Sequence, residues 1–304
     1  DLLSINVDDI ESISVMKDGA ATAIWGSLGA NGVISIRTKR GMKGKPKVTY
    51  SYKFTQKKQP EGIKMLTGDE YTMFLKEAYF NPNHSDGASN IKELNYITND
   101  AEFADWRMYD NNTDWVSSVI TTGLVNEHNM SMQGGGDKAT FYLSGGYYTE
   151  KGSIIGQNMD RFTSRLNLHY YVSDRITFNS EFAFTYTDQQ KNSGSLLSIA
   201  YKKMPNLGIY KEDVNGNVTN DYYAIPQSMS SQLSDQRGLS NPVALANLAL
   251  NNVKSYRLIP TFRLQYDLLP VSDDQKLRLK GLVSLDISNN SSFSFLPREI
   301  STAT

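Results

Sequence analysis

Residues 176–187 read ITFNSEFAFTYT, and their alternation decides the fold. Taken as a strand, the run puts Ile176, Phe178, Phe182, Phe184 and Tyr186 on one face. Thr177, Asn179, Glu181 and Thr185 fall on the other. The same two-residue period recurs on both sides of it. Upstream, KVTYSYKFT (47–55) sets Val48, Tyr50, Tyr52 and Phe54 against Thr49, Ser51, Lys53 and Thr55. ATFYLSGGYY (139–148) sets Phe141, Leu143 and Tyr147 against Thr140, Tyr142 and Ser144. RFTSRLNLHYYV (161–172) sets Phe162, Leu166, Leu168 and Tyr170 against Thr163, Arg165, Asn167 and His169. Downstream, SYRLIPTFRLQYDL (255–268) and KLRLKGLVSLDIS (276–288) repeat the pattern, and EHNMSMQ (127–133) is a weaker copy.

Several of these runs reach or exceed the ~9–11 residues of a membrane-spanning strand, against ~5–6 in soluble proteins. Charges and amides run along the polar face. A soluble barrel or sandwich fills its interior with apolar side chains. The pattern therefore predicts an apolar face turned to lipid and a polar face lining a lumen. Val48, Phe141, Leu166, Phe182, Leu264 and Leu285 are expected to meet lipid. Thr49, Asn167, Glu181, Gln265 and Asp286 are expected to face the lumen. A soluble antiparallel sheet with one wet face is the alternative.

The connections point the same way. Turn-rich GGGDK, VSDR and LLPVSDDQ read as short links. Residues 59–124, 151–160 and 190–252 read as longer ones, so short and long alternate. Outer-membrane barrels have short periplasmic turns and longer external loops. The long connections carry structure of their own. Thr67 and Glu70 have capping-box spacing ahead of Tyr71, Phe74, Leu75, Ala78 and Tyr79, an amphipathic helical stripe. TDWVSSVI is a shorter helical candidate with Trp115 and Val119 on one side. EDVNGNVTNDYY holds an Asn-Gly turn and predicts a small hairpin.

Composition closes other routes. The chain has 304 residues, 31 Lys+Arg against 32 Asp+Glu, and a net charge of -1. That balance gives no reason to expect a nucleic-acid partner. At 39% hydrophobic and 21% charged it is neither disordered nor a helical membrane protein. It holds no Cys, which excludes disulfides, thiolate metal sites and a Cys nucleophile. His84, His128 and His169 lack metal-ligand spacing, and no GxSxG or HExxH occurs. Glycines 26, 29 and 32 follow a helical stretch instead of opening one, so they read as a tight turn, not a phosphate loop. DVNGN begins like a calcium loop, but Val218 stands where its glycine belongs. No catalytic residue, metal ligand or cofactor is nominated. The residues singled out for ligand contact are Trp25, Asn31 and Trp106, since an indole can stack on a sugar ring. The lumen-side charges Lys53, Arg165, Arg257, Arg263, Arg278, Lys280, Glu181, Asp267 and Asp286 are expected to pair with one another or with whatever plugs the lumen.

The first segment differs from the rest. IESISVM (10–16) and GVISIRT (32–38) read as strands flanking an Ala-rich, helix-like KDGAATAIWG. Ile13, Val15, Ile34 and Ile36 are expected to share a small core with Ala21 and Ile24. RGMKGKP then reads as a linker, placing a boundary near Gly44. This stretch, DIESISVMKDGAATAIWGSLGANGVISIRTKRG, resembles the end of the plug domain in the SusC/RagA family of TonB-linked outer-membrane transporters. KDGAATAIWGS, GANGV and TKRG carry the likeness, which continues through LTGDEYTMFLKEA, NNTDW, EHNMSMQGGGDKATFYLSGGYYTEKG and DRFTSRLNL and thins after about Gln190. Gly19, Trp25 and Leu28 stand where the family usually has Ala, Tyr and Arg.

The resemblance implies an all-β membrane fold: part of an antiparallel barrel of about 22 strands with the C-terminal part of an α+β plug. Residues 1–44 would be the end of the plug, with the Trp25–Asn31 turn helping to hold it. Residues 45–304 would be the first barrel strands and their external loops. It further implies an outer-membrane location in a Gram-negative cell and no enzymatic activity. The expected function is import of oligosaccharides or peptides. The expected partners are a SusD-like lid lipoprotein, TonB, the remainder of the barrel and outer-membrane lipid. A passive porin-like or adhesin barrel and a soluble β-rich carbohydrate-binding protein are the alternatives.

Overall fold

The computed structural model describes residues 5–18, 26–27, 29, 31–80, 106–192, 195–226, 233–268 and 277–300. The N-terminal part is a hairpin. Strands β1 (Ile10–Met16) and β2 (Val33–Thr38) pair antiparallel, with Ile13 opposite Ile36 and Val15 opposite Ile34. Strands that flank so short a crossover could be adjacent or separated in a sheet, and here they are adjacent. The small core does not form among the described residues. Ile13, Val15 and Ile34 are each more than half exposed, and the Ala21–Ile24 stretch lies outside the described residues.

From Gly44 the chain enters a second sheet of long strands. They are β3 (Gly44–Lys57), β4 (Gly123–Gly135), β5 (Ala139–Lys151), β6 (Asn158–Tyr171), β7 (Ile176–Gln190), and β10 (Leu250–Asp267), with β11 (Arg278–Ser284) and β12 (Ile287–Phe295). The order runs β11-β10-β7-β6-β5-β4-β3, with β12 also on β10. All pairs are antiparallel, and from β3 to β11 each strand pairs with the next strand of the sheet in chain order, the topology that hairpin connections generate. β11 and β12 form one line along β10, interrupted at residues 285–286. Pro260 explains the interruption. Its carbonyl accepts from Leu285 N at 3.0 Å. The return bond cannot form because proline has no N–H. In an antiparallel ladder both groups of a residue point to one neighbour, so the gap falls on this side and the pairing with Phe182 of β7 survives.

Burial on this sheet is inverted relative to a soluble protein. Tyr142, Ser144, Asn129, Thr140, Thr163 and Asn167 are buried, while Val48, Tyr50, Met130, Leu166, Leu264 and Leu285 are exposed. Asn167 is 6% exposed and Leu264 49%. The first set is the polar face, crossed by residues 6–9 and 39–41 at the base of the hairpin; the second is bare. On β10 the apolar face runs from Tyr256 to Tyr266, about 33 Å along the strand at ~3.3 Å per residue. At a tilt of ~45° that spans about 23 Å of height, close to the ~25 Å apolar band of a membrane barrel. Tyrosines mark band edges: Tyr147, Tyr186 and Tyr256 at the long-loop end, Tyr170 and Tyr266 at the other. Tyr147 Oη donates to Asp160 and Tyr52 Oη to Asn126, so these phenols turn toward the loop end.

The strict alternation of link lengths is corrected in one place. β5 and β6 are joined by only residues 152–157, shorter than the 268–277 connection on the opposite edge. The long external reading of 151–160 counted residues that the ladder takes up as strand.

The described residues of the 58–122 and 191–249 connections pack together at the loop end. Their helices are α1 (Gly68–Phe80), α2 (Trp115–Val119), α3 (Leu196–Lys202), α4 (Ser234–Arg237) and α5 (Pro242–Leu248). The capping box forms as expected: Glu70 N donates to Thr67 Oγ1 and Thr67 N to Glu70 Oε2. Within the stripe, Tyr71 packs inward, but Phe74 is 60% exposed. β8 (Tyr210–Glu212) and β9 (Val218–Tyr222) make the expected hairpin, with Gly216 at φ 84 in its turn.

Candidate functional site

Two places combine buried polar chemistry with long-range contact. One is the seam where the base of the β1–β2 hairpin meets the polar face of the large sheet. Asn6 caps a single 3-10 turn, Val7–Asp9, by accepting from Asp8 N. The turn presents two adjacent carboxylates to the sheet. Asp8 accepts from Ser51 Oγ at 2.6 Å and Asn129 Nδ2 at 2.7 Å. Asn6 Nδ2 donates to Asn129 Oδ1 at 2.6 Å. Asp9 accepts from Tyr142 Oη at 2.8 Å, and Arg165 Nε stands 3.6 Å from its second oxygen. A buried carboxylate needs such partners, since its desolvation is otherwise uncompensated.

The far end of the hairpin is tied to the same spot. Lys39 N donates to Asp9 O at 2.8 Å and Lys39 Nζ to Asp8 O at 2.6 Å. Lys39 O accepts from Asn167 Nδ2 at 2.7 Å. The hairpin is thus a loop closed at its base and clamped to β3–β6. Just beyond, Gly41 passes flat against strand β5. A Cβ there would stand 2.3 Å from Phe141 N, so only glycine allows the approach. Several of the other polar-face charges pair among themselves: Lys53 with Glu127 at 3.3 Å, Arg257 with Asp286 and Arg278 with Asp267 at 2.6 Å each. Both expected fates of these charges are therefore seen.

The second place is the cap built from the two long connections. Its core joins Met108, Tyr109, Trp115 and Val119 of the first to Ala200, Met204, Leu207 and Tyr223 of the second. Trp115 Nε1 donates to Met204 O at 2.8 Å, and Thr113 N to Pro205 O at 2.8 Å. Asp114 caps α2 through Ser117, whose hydroxyl and amide hold the carboxyl below its usual range. Asn241 caps α5 and also donates to Ile209 O at 2.8 Å. Between the 59–67 segment, α1, α2 and α3 lies a cavity of about 790 Å³. Lys203 and Gln236 are on its wall. Lys203 is 8% exposed and donates to Gln236 O at 3.0 Å and to Leu239 O. Burial pulls its ammonium down to about 8.

Of the residues nominated from sequence, Trp25 lies outside the described residues. Asn31 is exposed in the turn before Gly32, and Trp106 is half-buried at the start of the 3-10 turn Trp106–Tyr109. Neither Asn31 nor Trp106 lines the large cavity. The alternation put Tyr142 and Arg165 on the correct face, but nothing local marks Asp8, Asp9 or Lys203. Among the described residues no group of three or more His, Asp or Glu could hold a metal ion.

No family model matches the chain. Among curated proteins it is 29% identical over 244 residues to TonB-dependent receptor P3 of Formosa agariphila, covering 75% of this chain and 22% of that one. It is 29% identical over 263 residues to TonB-dependent receptor SusC of Bacteroides thetaiotaomicron, covering 84% of this chain and 24% of that one. The chain therefore spans about a quarter of the length of these relatives. Among solved structures it is similar to the RagAB peptide importer in its closed-closed state, with a TM-score of 0.70 at 21% identity. That match covers 96% of this chain and 33% of the other. The open-open state matches at 0.70 and 22%. The chain resembles the SusC-like TonB-dependent receptors. Its fold is all-β: part of a large antiparallel transmembrane β-barrel with the C-terminal part of an α+β plug.

Proposed function

We propose that this chain is part of a TonB-dependent outer-membrane transporter of the SusC/RagA type, importing oligosaccharides or peptides into a Gram-negative cell. The observation that carries the reading is the inverted sheet. The base of a hairpin is clamped to its polar face through Asp8, Asp9 and Lys39, and its apolar face is bare. A wall that keeps its polar side inward and its apolar side outward suits lipid outside and a hydrated lumen within. Residues 1–44 are then the end of the plug, and residues 45–304 are wall strands and external loops.

The wall cannot close by itself. Among the described residues β3 has one partner strand, and so do β11 and β12. Unpaired edges are not tolerated in lipid, so the remainder of the barrel must pair with them. The cap supplies the face on which a SusD-like lid lipoprotein docks. TonB acts on the plug from the opposite side. Transport of this kind breaks no covalent bond, so the working groups bind and hold.

The test uses the full-length protein in its own cell. Deleting the gene should abolish uptake of one class of oligomer, and removing TonB should have the same effect. The protein should fractionate with the outer membrane and co-purify with a surface lipoprotein. Uptake that persists without TonB would favour a passive barrel. A folded, detergent-free soluble monomer would favour a carbohydrate-binding protein.

A further inference from the structure

On the wall of the cap cavity stands a buried lysine that has no carboxylate partner among the described residues. Lys203 follows α3 and is more than nine-tenths buried. Two of its three ammonium donors go to the carbonyls of Gln236 and Leu239 at the end of α4. Among the described residues no carboxylate lies within ion-pair distance of it. Backbone carbonyls satisfy hydrogen bonds but supply no counter-charge, and an ammonium held out of water without one is costly. The wall around it does not repair the balance. Lys64, Lys202 and Lys203 line the cavity against Glu61 and Asp114, a net of 3 − 2 = +1. Asp114 is further committed to Ser117. The volume, about 790 Å³, falls within the ~300–1,000 Å³ typical of ligand clefts.

We propose that this cavity binds a carboxylate-bearing solute, with the third donor of Lys203 and its positive charge taking the carboxylate. A free peptide C-terminus and a uronic-acid sugar carry the same group, and the shared chemistry is what the site selects. The inference refines the import reading by naming a feature of the imported molecule. It rests on that reading for its purpose, but binding is measured without transport.

The experiment is calorimetry on the full-length protein in detergent at neutral pH. Trialanine is compared with its C-terminal amide, and digalacturonate with its methyl ester. In at least one pair the acid should bind about ten-fold or more tightly than its neutral analogue. A preference in the peptide pair alone assigns peptides, in the sugar pair alone acidic sugars, and in both assigns a general carboxylate site. Lys203→Met should abolish the preference and Lys203→Arg should retain it, each checked for native heat-modifiable mobility. Equal affinity for acid and neutral forms in both pairs, or no binding by any probe, would overturn the proposal using unaltered protein alone. So would a preference that survives in folded K203M. Loss of TonB-dependent uptake is scored separately, so failure of the import reading shows in cells and failure of the carboxylate site shows in the calorimeter.

Discussion

Tyr142 and Asp9 lie 133 residues apart in the chain, yet the phenol donates to the carboxylate at 2.8 Å. Both groups are nearly inaccessible, at 2% and 4% exposure. The bond joins the base of the hairpin to the second wall hairpin. Hydrogen bonds to charged groups contribute about 1.5–3 kcal/mol. Tyr142→Phe keeps the ring and leaves Asp9 with Arg165 alone. Hydrogen exchange across residues 10–38 should accelerate by about ten-fold or more in the full-length protein, with β5 and β6 unchanged. Unaltered exchange in the hairpin would show that the seam is held elsewhere.

Leu264 and its neighbour Gln265 test the facing of the wall. Leu264 is on the bare face and Gln265 on the polar one. Arg at a lipid-facing site near the midplane costs about 2–4 kcal/mol. Leu264→Arg should lower folding stability in lipid vesicles by that amount, while Gln265→Arg should change it by less than about 1 kcal/mol. Equal effects would remove the distinction between the faces.

Gly41 has no room for a side chain. A Cβ would meet backbone atoms of Phe141 at 2.3 to 2.6 Å, and backbone cannot swing aside as a flexible side chain can. Gly41→Ala should displace the linker that follows the clamp. Limited proteolysis of the full-length protein should then cut between residues 39 and 47, where the unaltered protein resists. Identical digestion patterns would refute the close crossing.

The cap should respond to pH at both ends of its range. Ser117 holds Asp114 below its ordinary pKa, and Thr67 does the same for Glu70. A depressed carboxyl stabilises above its unfolded pKa, and that stability is lost as pH falls through the lower folded value. Lys203 works in the opposite range. Its folded pKa of about 8 lies below the unfolded 10.5, so the unfolded state binds more protons between them. Stability of the cap should therefore rise as pH climbs from about 8 to about 10.5 and fall below about 4. Trp115 fluorescence during denaturant titration would report both limbs. In Lys203→Met the alkaline rise should vanish while the acid loss remains.

Strand facing was legible because burial in a sheet alternates with period two, a property of neighbouring residues that needs no knowledge of the partner strand. ITFNSEFAFTYT and the runs beside it state which side is apolar, and the length of each run states that it is long enough to span a membrane. The capping box at Thr67 and Glu70, the Asn-Gly hairpin and the turn-rich links were legible for the same reason, since each is closed within a few residues. The length of the 152–157 loop was misjudged because the ladder, set by the partner strand, decides where a strand stops. The exposure of Ile13, Val15 and Ile34 was not legible, because alternation names an apolar face without saying what covers it. Tertiary structure alone decided that Asp8 and Asp9 meet Ser51, Asn129, Tyr142 and Arg165. It alone decided that Lys203 is shut away from water beside a cavity. Those contacts join segments more than thirty and up to 156 residues apart. They depend on strand register and on two long connections packing together, and no short window of sequence contains either.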